Sequence, residues 1–104
     1  MTRGDVYRVR FGRGRGREQQ GPRYGVIVQT AALLDLSTVV VAPTSRSASP
    51  ASFRPVIEIA GQKTSVMVDQ LRAVDIRRLG KHTYHLTLDE QHAVDQALRS
   101  VLNL

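Results

Sequence analysis

The residues best placed to do chemistry lie in one loop and at the end of one strand-like run. Gly16–Arg17–Glu18–Gln19–Gln20–Gly21–Pro22–Arg23 is basic and broken by glycine, and it leads into the apolar stretch Tyr24–Gln29. A second apolar run, Thr38–Ala42, ends in Pro43–Thr44–Ser45–Arg46. An arginine at the mouth of one strand and a hydroxyl at the end of the next can converge on one phosphate. A guanidinium suits that task because its planar fork donates two parallel hydrogen bonds to a phosphate. The chain has no cysteine, which removes thiolate metal sites, thiol nucleophiles and disulfides. Phosphate chemistry by Arg23, Thr44 and Glu18, without metal or cofactor, is therefore the first expectation.

RNA offers such a reaction. Its 2′-hydroxyl attacks the adjacent phosphorus and the 5′-oxygen leaves, so no metal or water is needed in the first step. A catalyst must accept the 2′ proton, stabilise charge on the non-bridging oxygens and assist the leaving oxygen. Thr44 offers a hydroxyl donor. Arg23 offers a cation that stabilises charge, since a guanidinium with a pKa above about 12 gives up its proton reluctantly. One well-placed donor of this kind is worth about 3–4 kcal/mol in the transition state. Glu18 is a candidate base, although neighbouring arginines lower a carboxylate's pKa and weaken it as one. The other reading of Glu18 is a salt bridge that pins the loop.

Composition points to an anionic partner. The 104-residue chain carries a net charge of +6, and 13 of its 15 basic residues are arginine. A polyanion, most simply nucleic acid, fits that balance; a GC-rich coding sequence gives the same bias for another reason. The length predicts one domain over residues 1–104. No apolar run approaches the roughly 20 residues of a membrane-spanning helix. The first residues lack an apolar signal core, so a cytoplasmic protein is expected.

The elements that position these residues read mainly as strands. Val6–Phe11 alternates, with Tyr7, Val9 and Phe11 on one face and Arg8 and Arg10 on the other. Tyr24–Thr30 and Ser37–Ala42 are continuous apolar runs and read as central strands. Ala31–Asp35 is a short connector, while Gly12–Gly21 and Ser45–Ser52 read as mobile loops. Val56–Ile59 and Thr64–Val68 form a hairpin around Ala60–Gly61–Gln62–Lys63. Leu71–Val74 is a short strand or turn, and Thr83–Leu86 the last strand. Thr87 and Glu90 have capping-box spacing. Val94, Ala97, Leu98, Val101 and Leu102 make one helical stripe, with Asp95 and Arg99 placed to pair. The sum is five to seven strands bent into a small sheet or barrel, closed by a C-terminal helix.

Four segments, in order, resemble the MazF/PemK family of toxins: Arg3–Gly4–Asp5–Val6–Tyr7; Gly16–x–Glu18–Gln19–x–Gly21–x–Arg23; Val39–Val40–Val41–Ala42–Pro43–Thr44–Ser45; and Asp69–Gln70–Leu71–Arg72–Ala73–Val74–Asp75–Ile76–Arg77–Arg78–Leu79. The resemblance implies an SH3-like barrel of the MazF/PemK/CcdB type and a homodimer. It implies an mRNA interferase, which cuts single-stranded RNA at short motifs without metal and leaves a 2′,3′-cyclic phosphate. It also implies a cognate antitoxin that covers the RNA groove. By this similarity the catalytic arginine falls on Arg23, the catalytic threonine on Thr44 and the acidic residue of the Glu–Gln pair on Glu18. Tyr24 departs from the pattern, which has proline there. Tyrosine keeps the strand but loosens the loop, and its ring offers a stacking face for a base.

Other residues carry two readings each. Arg13, Arg15 and Arg17 either track an RNA backbone or are a solvated loop. Ser45 and Arg46 either hold a flanking phosphate or shape the turn. Gln70 either contacts a base or belongs, with Asp69, Asp75, Arg77 and Arg78, to an ion-pair network that closes the barrel. His82 and His85, three apart in a strand, should face opposite ways, and with His92 they read as surface residues. Two other functions remain open at this level: a non-enzymatic RNA-binding barrel, and a CcdB-like inhibitor of a protein target.

Overall fold

The computed structural model describes residues 1–12, 22–30 and 37–104. Glu18, Arg13, Arg15, Arg17 and the connector Ala31–Asp35 lie outside the described residues. Seven strands are described: β1 (Asp5–Arg10), β2 (Pro22–Ile27), β3 (Thr38–Ser45), β4 (Val56–Ile59), β5 (Gln62–Val66), β6 (Arg72–Asp75) and β7 (Leu79–His85). One helix, α1 (Leu88–Leu102), follows them. The strands form one bent sheet in the order β4-β5-β3-β2-β1-β7, with β6 paired to β3, and every pairing is antiparallel.

Residues 24–27 of β2 and 39–43 of β3 read as unbroken apolar runs because both strand faces are largely buried there. Val26 and Ala42 join the larger core with Val6, Ile57, Val66, Leu86 and the helix residues Val94, Ala97 and Leu98. Their neighbours Ile27, Val39 and Val41 join a second cluster with Val9, Phe11 and Val74. Gly25 sits where these layers come closest. A Cβ there would lie 2.8 Å from Val9 Cγ2 and 3.3 Å from Phe11 Cζ.

The helix begins as its sequence predicts. Thr87 accepts from Glu90 N at 3.2 Å and Glu90 Oε1 accepts from Thr87 N at 3.0 Å. The same carboxylate ties α1 to the sheet, accepting from the Tyr84 hydroxyl at 2.6 Å and from Glu58 N at 3.0 Å. Burial pushes the Glu90 carboxyl up, but these bonds outweigh it and hold the carboxyl below its ordinary value. The hydrogen bond to Glu90, with burial, pushes the Tyr84 phenol up to about 12.

Several expectations need correction. The hairpin turn is only Ala60–Gly61, both at positive φ (52° and 78°), and β5 starts at Gln62. Two residues in the left-handed region match the strand twist. The last strand begins at Leu79 rather than Thr83, because pairing with β1 builds it where side-chain alternation gives no signal. Of the apolar helix stripe, Val101 and Leu102 remain exposed. Asp95 pairs with Arg3 and accepts from Gln91.

The histidines also differ from expectation. The β1–β7 register skips Thr83, so His85 sits opposite Asp5 and His82 opposite Tyr7. This bulge breaks the two-residue period and turns both imidazoles the same way. Asp5 Oδ1 lies 3.0 Å from His82 Nε2 and 2.8 Å from His85 Nδ1. Thr2 adds its N–H and hydroxyl to Asp5 Oδ2. A carboxylate only accepts, so each imidazole presents an N–H to it. Burial alone would raise the Asp5 carboxyl, but the bonds from His85, Thr2 and His82 hold it well below the usual range. His82 and His85 remain about half exposed at the surface, as expected.

Two outcomes follow for stability. The depressed Asp5 carboxyl contributes stability above its unfolded value near pH 4, and this is lost as the pH falls through the folded value. Asp5→Asn therefore destabilises by about 1–3 kcal/mol at pH 7, and the gap to wild type closes as the pH drops below about 4; thermal melts across that range check it. Gly25→Ala, which forces a methyl against Val9 and Phe11, destabilises by about 1–3 kcal/mol in denaturant titrations.

Candidate active site

The site forms where β3 changes partners. Along Thr38–Val41 the strand pairs with β6, along Val41–Pro43 with β2, and at Thr44 and Ser45 with β5. Pro43 has no N–H to give to a ladder, and its carbonyl accepts from Met67 N at 2.8 Å. Thr44 follows at once. It is buried, and its hydroxyl donates to the Tyr24 carbonyl of β2 at 3.1 Å. The end of β3 and the start of β2 are thereby held together.

A cleft of about 240 Å³ opens at this junction. Arg23, Tyr24, Thr44, Ser45 and Arg46 line one part of it, and Arg8, Ile59, Ala60, Gln62 and Thr64 the rest. The structure thus brings together five of the residues that the sequence singled out. Arg8, Arg23 and Arg46 supply three positive charges, and among the described residues no carboxylate lines the cleft. Arg23 Nε is buried without a hydrogen-bond partner among the described residues. Leaving such a donor unpaired costs about 1–3 kcal/mol, and an anion in the cleft would remove that cost.

Each neighbour has a definable part. Arg8 stands opposite Tyr24 in the β1–β2 register and places its guanidinium 5.1 Å from the Tyr24 ring centroid. One face of the ring is thus already covered by a cation, and the ring also packs against the larger core. Tyr24 lies in the extended strand, as expected. Ser45 Oγ accepts from Ser47 N at 3.2 Å, which shapes the turn after β3. Arg46 is exposed at the mouth of the cleft.

Gln70 is not among the residues lining the cleft. It ends a 3-10 turn, Val68–Gln70, and its N–H donates to Met67 O at 2.9 Å. The acidic residues near it form two separate ion pairs: Asp69 with Arg54, and Asp75 with Arg77. Arg78 is instead bonded to Arg10 O.

Arg8, Gln62 and Thr64 were not singled out as site residues. Arg8 had a signal, its place on the basic face of β1. The other two reach the cleft through the register Thr44↔Val66, which a single sequence does not display. Among the described residues no group of three or more His, Cys, Asp or Glu is arranged to hold a metal ion. Among them, too, no helix is long and apolar enough to cross a membrane.

Comparison with known proteins gives the family and the fold. A family model described as PemK-like, MazF-like toxin of type II toxin–antitoxin system matches residues 2–102. A Mycobacterium tuberculosis protein named as a candidate toxin, Rv3098A, is 43% identical over 106 residues, covering 100% of this chain and 99% of the relative. The crystal structure of MazF from Deinococcus radiodurans superposes with a TM-score of 0.87 at 22% identity, over 100% of this chain and 97% of that one. An endoribonuclease from a mycobacterial species, solved with its cognate antitoxin, gives 0.82 at 20% identity, over 100% and 96%. With the family model spanning nearly its whole length, the chain belongs to the MazF/PemK-like toxins of type II toxin–antitoxin systems.

Proposed function

We propose that this toxin is an endoribonuclease that cuts single-stranded RNA without a metal ion. The observation that carries the proposal is the shared cleft. Among the described residues, a buried arginine donor without a partner and a strand-end threonine line one small space with three cations and no carboxylate. Such a space suits a single phosphodiester.

In the proposed reaction the 2′-oxygen attacks phosphorus and loses its proton to a base. The 5′-oxygen leaves and takes a proton from solvent, giving a 2′,3′-cyclic phosphate and a 5′-hydroxyl end. Arg23 stabilises charge on the non-bridging oxygens as it develops. Thr44 needs one adjustment. Its proton is directed at the Tyr24 carbonyl, so donation to a phosphate oxygen requires the hydroxyl to turn. Meanwhile its lone pairs are available to a donor. Glu18 remains the proposed base. Arg13, Arg15 and Arg17 are proposed to hold the backbone on either side, with Ser45 and Arg46 at the flanking phosphate.

A cognate antitoxin, a homodimeric assembly and a cytoplasmic site of action complete the proposal. They are supported by family membership and by antitoxin complexes among structures of similar fold.

Two measurements test this. Purified protein with mixed RNA and EDTA should yield discrete fragments bearing 2′,3′-cyclic phosphate ends. Binding without cuts would favour an RNA-binding module. Arg23→Ala and Thr44→Val should each slow cleavage by about a hundredfold or more. Thr44→Val should also lower the melting temperature by about 4–8 °C, for one lost buried hydrogen bond. Full activity in both variants would remove the site, and toxicity of the double variant would point to a protein target.

A further inference from the structure

The basic surface does not stop at the cleft. Arg8 and Arg10 lie on the same face of β1 as Val6, the face that α1 covers only at the Val6 end. Beyond it both arginines are exposed. Arg8 lines the cleft on one side. On the other it lines a depression of about 230 Å³ shared with Arg10, Arg77, Arg78 and Gly80. A third hollow, of about 580 Å³, continues past Arg10 to Gly12, bordered by Arg77, Arg78 and Asp75.

Charge and shape along this line suit a chain of phosphates. Among the described residues its one carboxylate is Asp75, already engaged by the backbone N–H, Nε and Nη2 of Arg77. Arg78 Nη1 donates to Arg10 O at 3.1 Å, which holds this guanidinium in place. Arg10 has no carboxylate partner among the described residues. Two glycines keep the hollows open. A Cβ on Gly80 would stand 3.3 Å from Arg8 O, and one on Gly12, at φ +73°, 3.2 Å from Arg78 Nη1.

We propose that Arg8, Arg10 and Arg78 form a track for the RNA strand flanking the scissile linkage, which takes its phosphates and does not read its bases. The inference rests on the proposed RNA cleavage for the strand's identity. Guanidiniums in open hollows bind phosphate oxygens in register, and such contacts fix the path of a strand but carry little sequence information.

The test is a binding measurement that does not need cleavage. Fully 2′-O-methylated RNA, which lacks the attacking hydroxyl, is titrated as a tetranucleotide and as a dodecanucleotide by fluorescence anisotropy. In wild type the longer strand should bind more tightly. In Arg10→Gln that advantage should fall by about three- to tenfold, and the salt dependence should flatten by about 0.7 in log–log slope for the lost phosphate contact. Arg10→Lys should restore the slope. Arg10→Glu should remove more of the advantage than Arg10→Gln. An unchanged ratio and slope in Arg10→Glu, with a wild-type melting curve, would overturn the track. So would a loss of self-association in sedimentation with RNA binding unchanged, which would make the arginines a contact between copies. If wild type does not cut RNA but the ratio falls, the track stands and the catalytic reading fails. If it cuts and the ratio holds, the reverse follows.

Discussion

The change of partners along β3 is the constraint on which the rest depends. One edge of β3 pairs with β6 and then, just after Pro43, with β5, while the other edge pairs with β2. A proline gives the ladder no N–H, so the strand can depart there from regular pairing. The bond from Thr44 to the Tyr24 carbonyl then closes the gap between β3 and β2. Arg23 lies one residue before Tyr24, so the same bond that sets the strand ends apposes the two groups proposed to grip a phosphate. The β4–β5 hairpin supplies the far wall. It is held from behind by the Glu90 carboxylate, which accepts from Glu58 N while capping α1. Fold and cleft are thus joined through two hydrogen-bonded points.

The electrostatic design is one-sided. Among the described residues the cleft gathers cations and no carboxylate, while the acids Asp69 and Asp75 are paired elsewhere with Arg54 and Arg77. Asp5 is turned to the opposite use: its carboxylate ties Thr2, His82 and His85 around the β1–β7 bulge. Among the described residues, Asp5, Asp69, Asp75 and Glu90 fasten the scaffold, and Arg8, Arg23 and Arg46 face the cleft.

What the sequence disclosed follows the range of the interactions involved. The capping box of Thr87 and Glu90 is local and was legible; the bonds of Glu90 to Tyr84 and Glu58 span the fold and were not. β2 and β3 were legible because burial over most of both faces leaves an unbroken apolar run. Most of β7 was not, since Leu79–His82 is an edge formed by pairing rather than by burial, and its bulge reversed the expected divergence of His82 and His85. Arg23 and Thr44 could be matched because their strands are consecutive. Gln62 and Thr64 required the register of β5 against β3, and Gln70 was drawn away from the cleft by the 3-10 turn after β5.

The central claim is that one phosphate is held by Arg23 and Thr44 together. It is tested most directly by a crystal structure with a short RNA carrying a 2′-deoxy substitution at the cut position. The account predicts one phosphodiester in the cleft, with its non-bridging oxygens about 2.7–3.2 Å from both the Arg23 guanidinium and Thr44 Oγ1. A strand bound with its phosphate on one of these groups and out of reach of the other would contradict it.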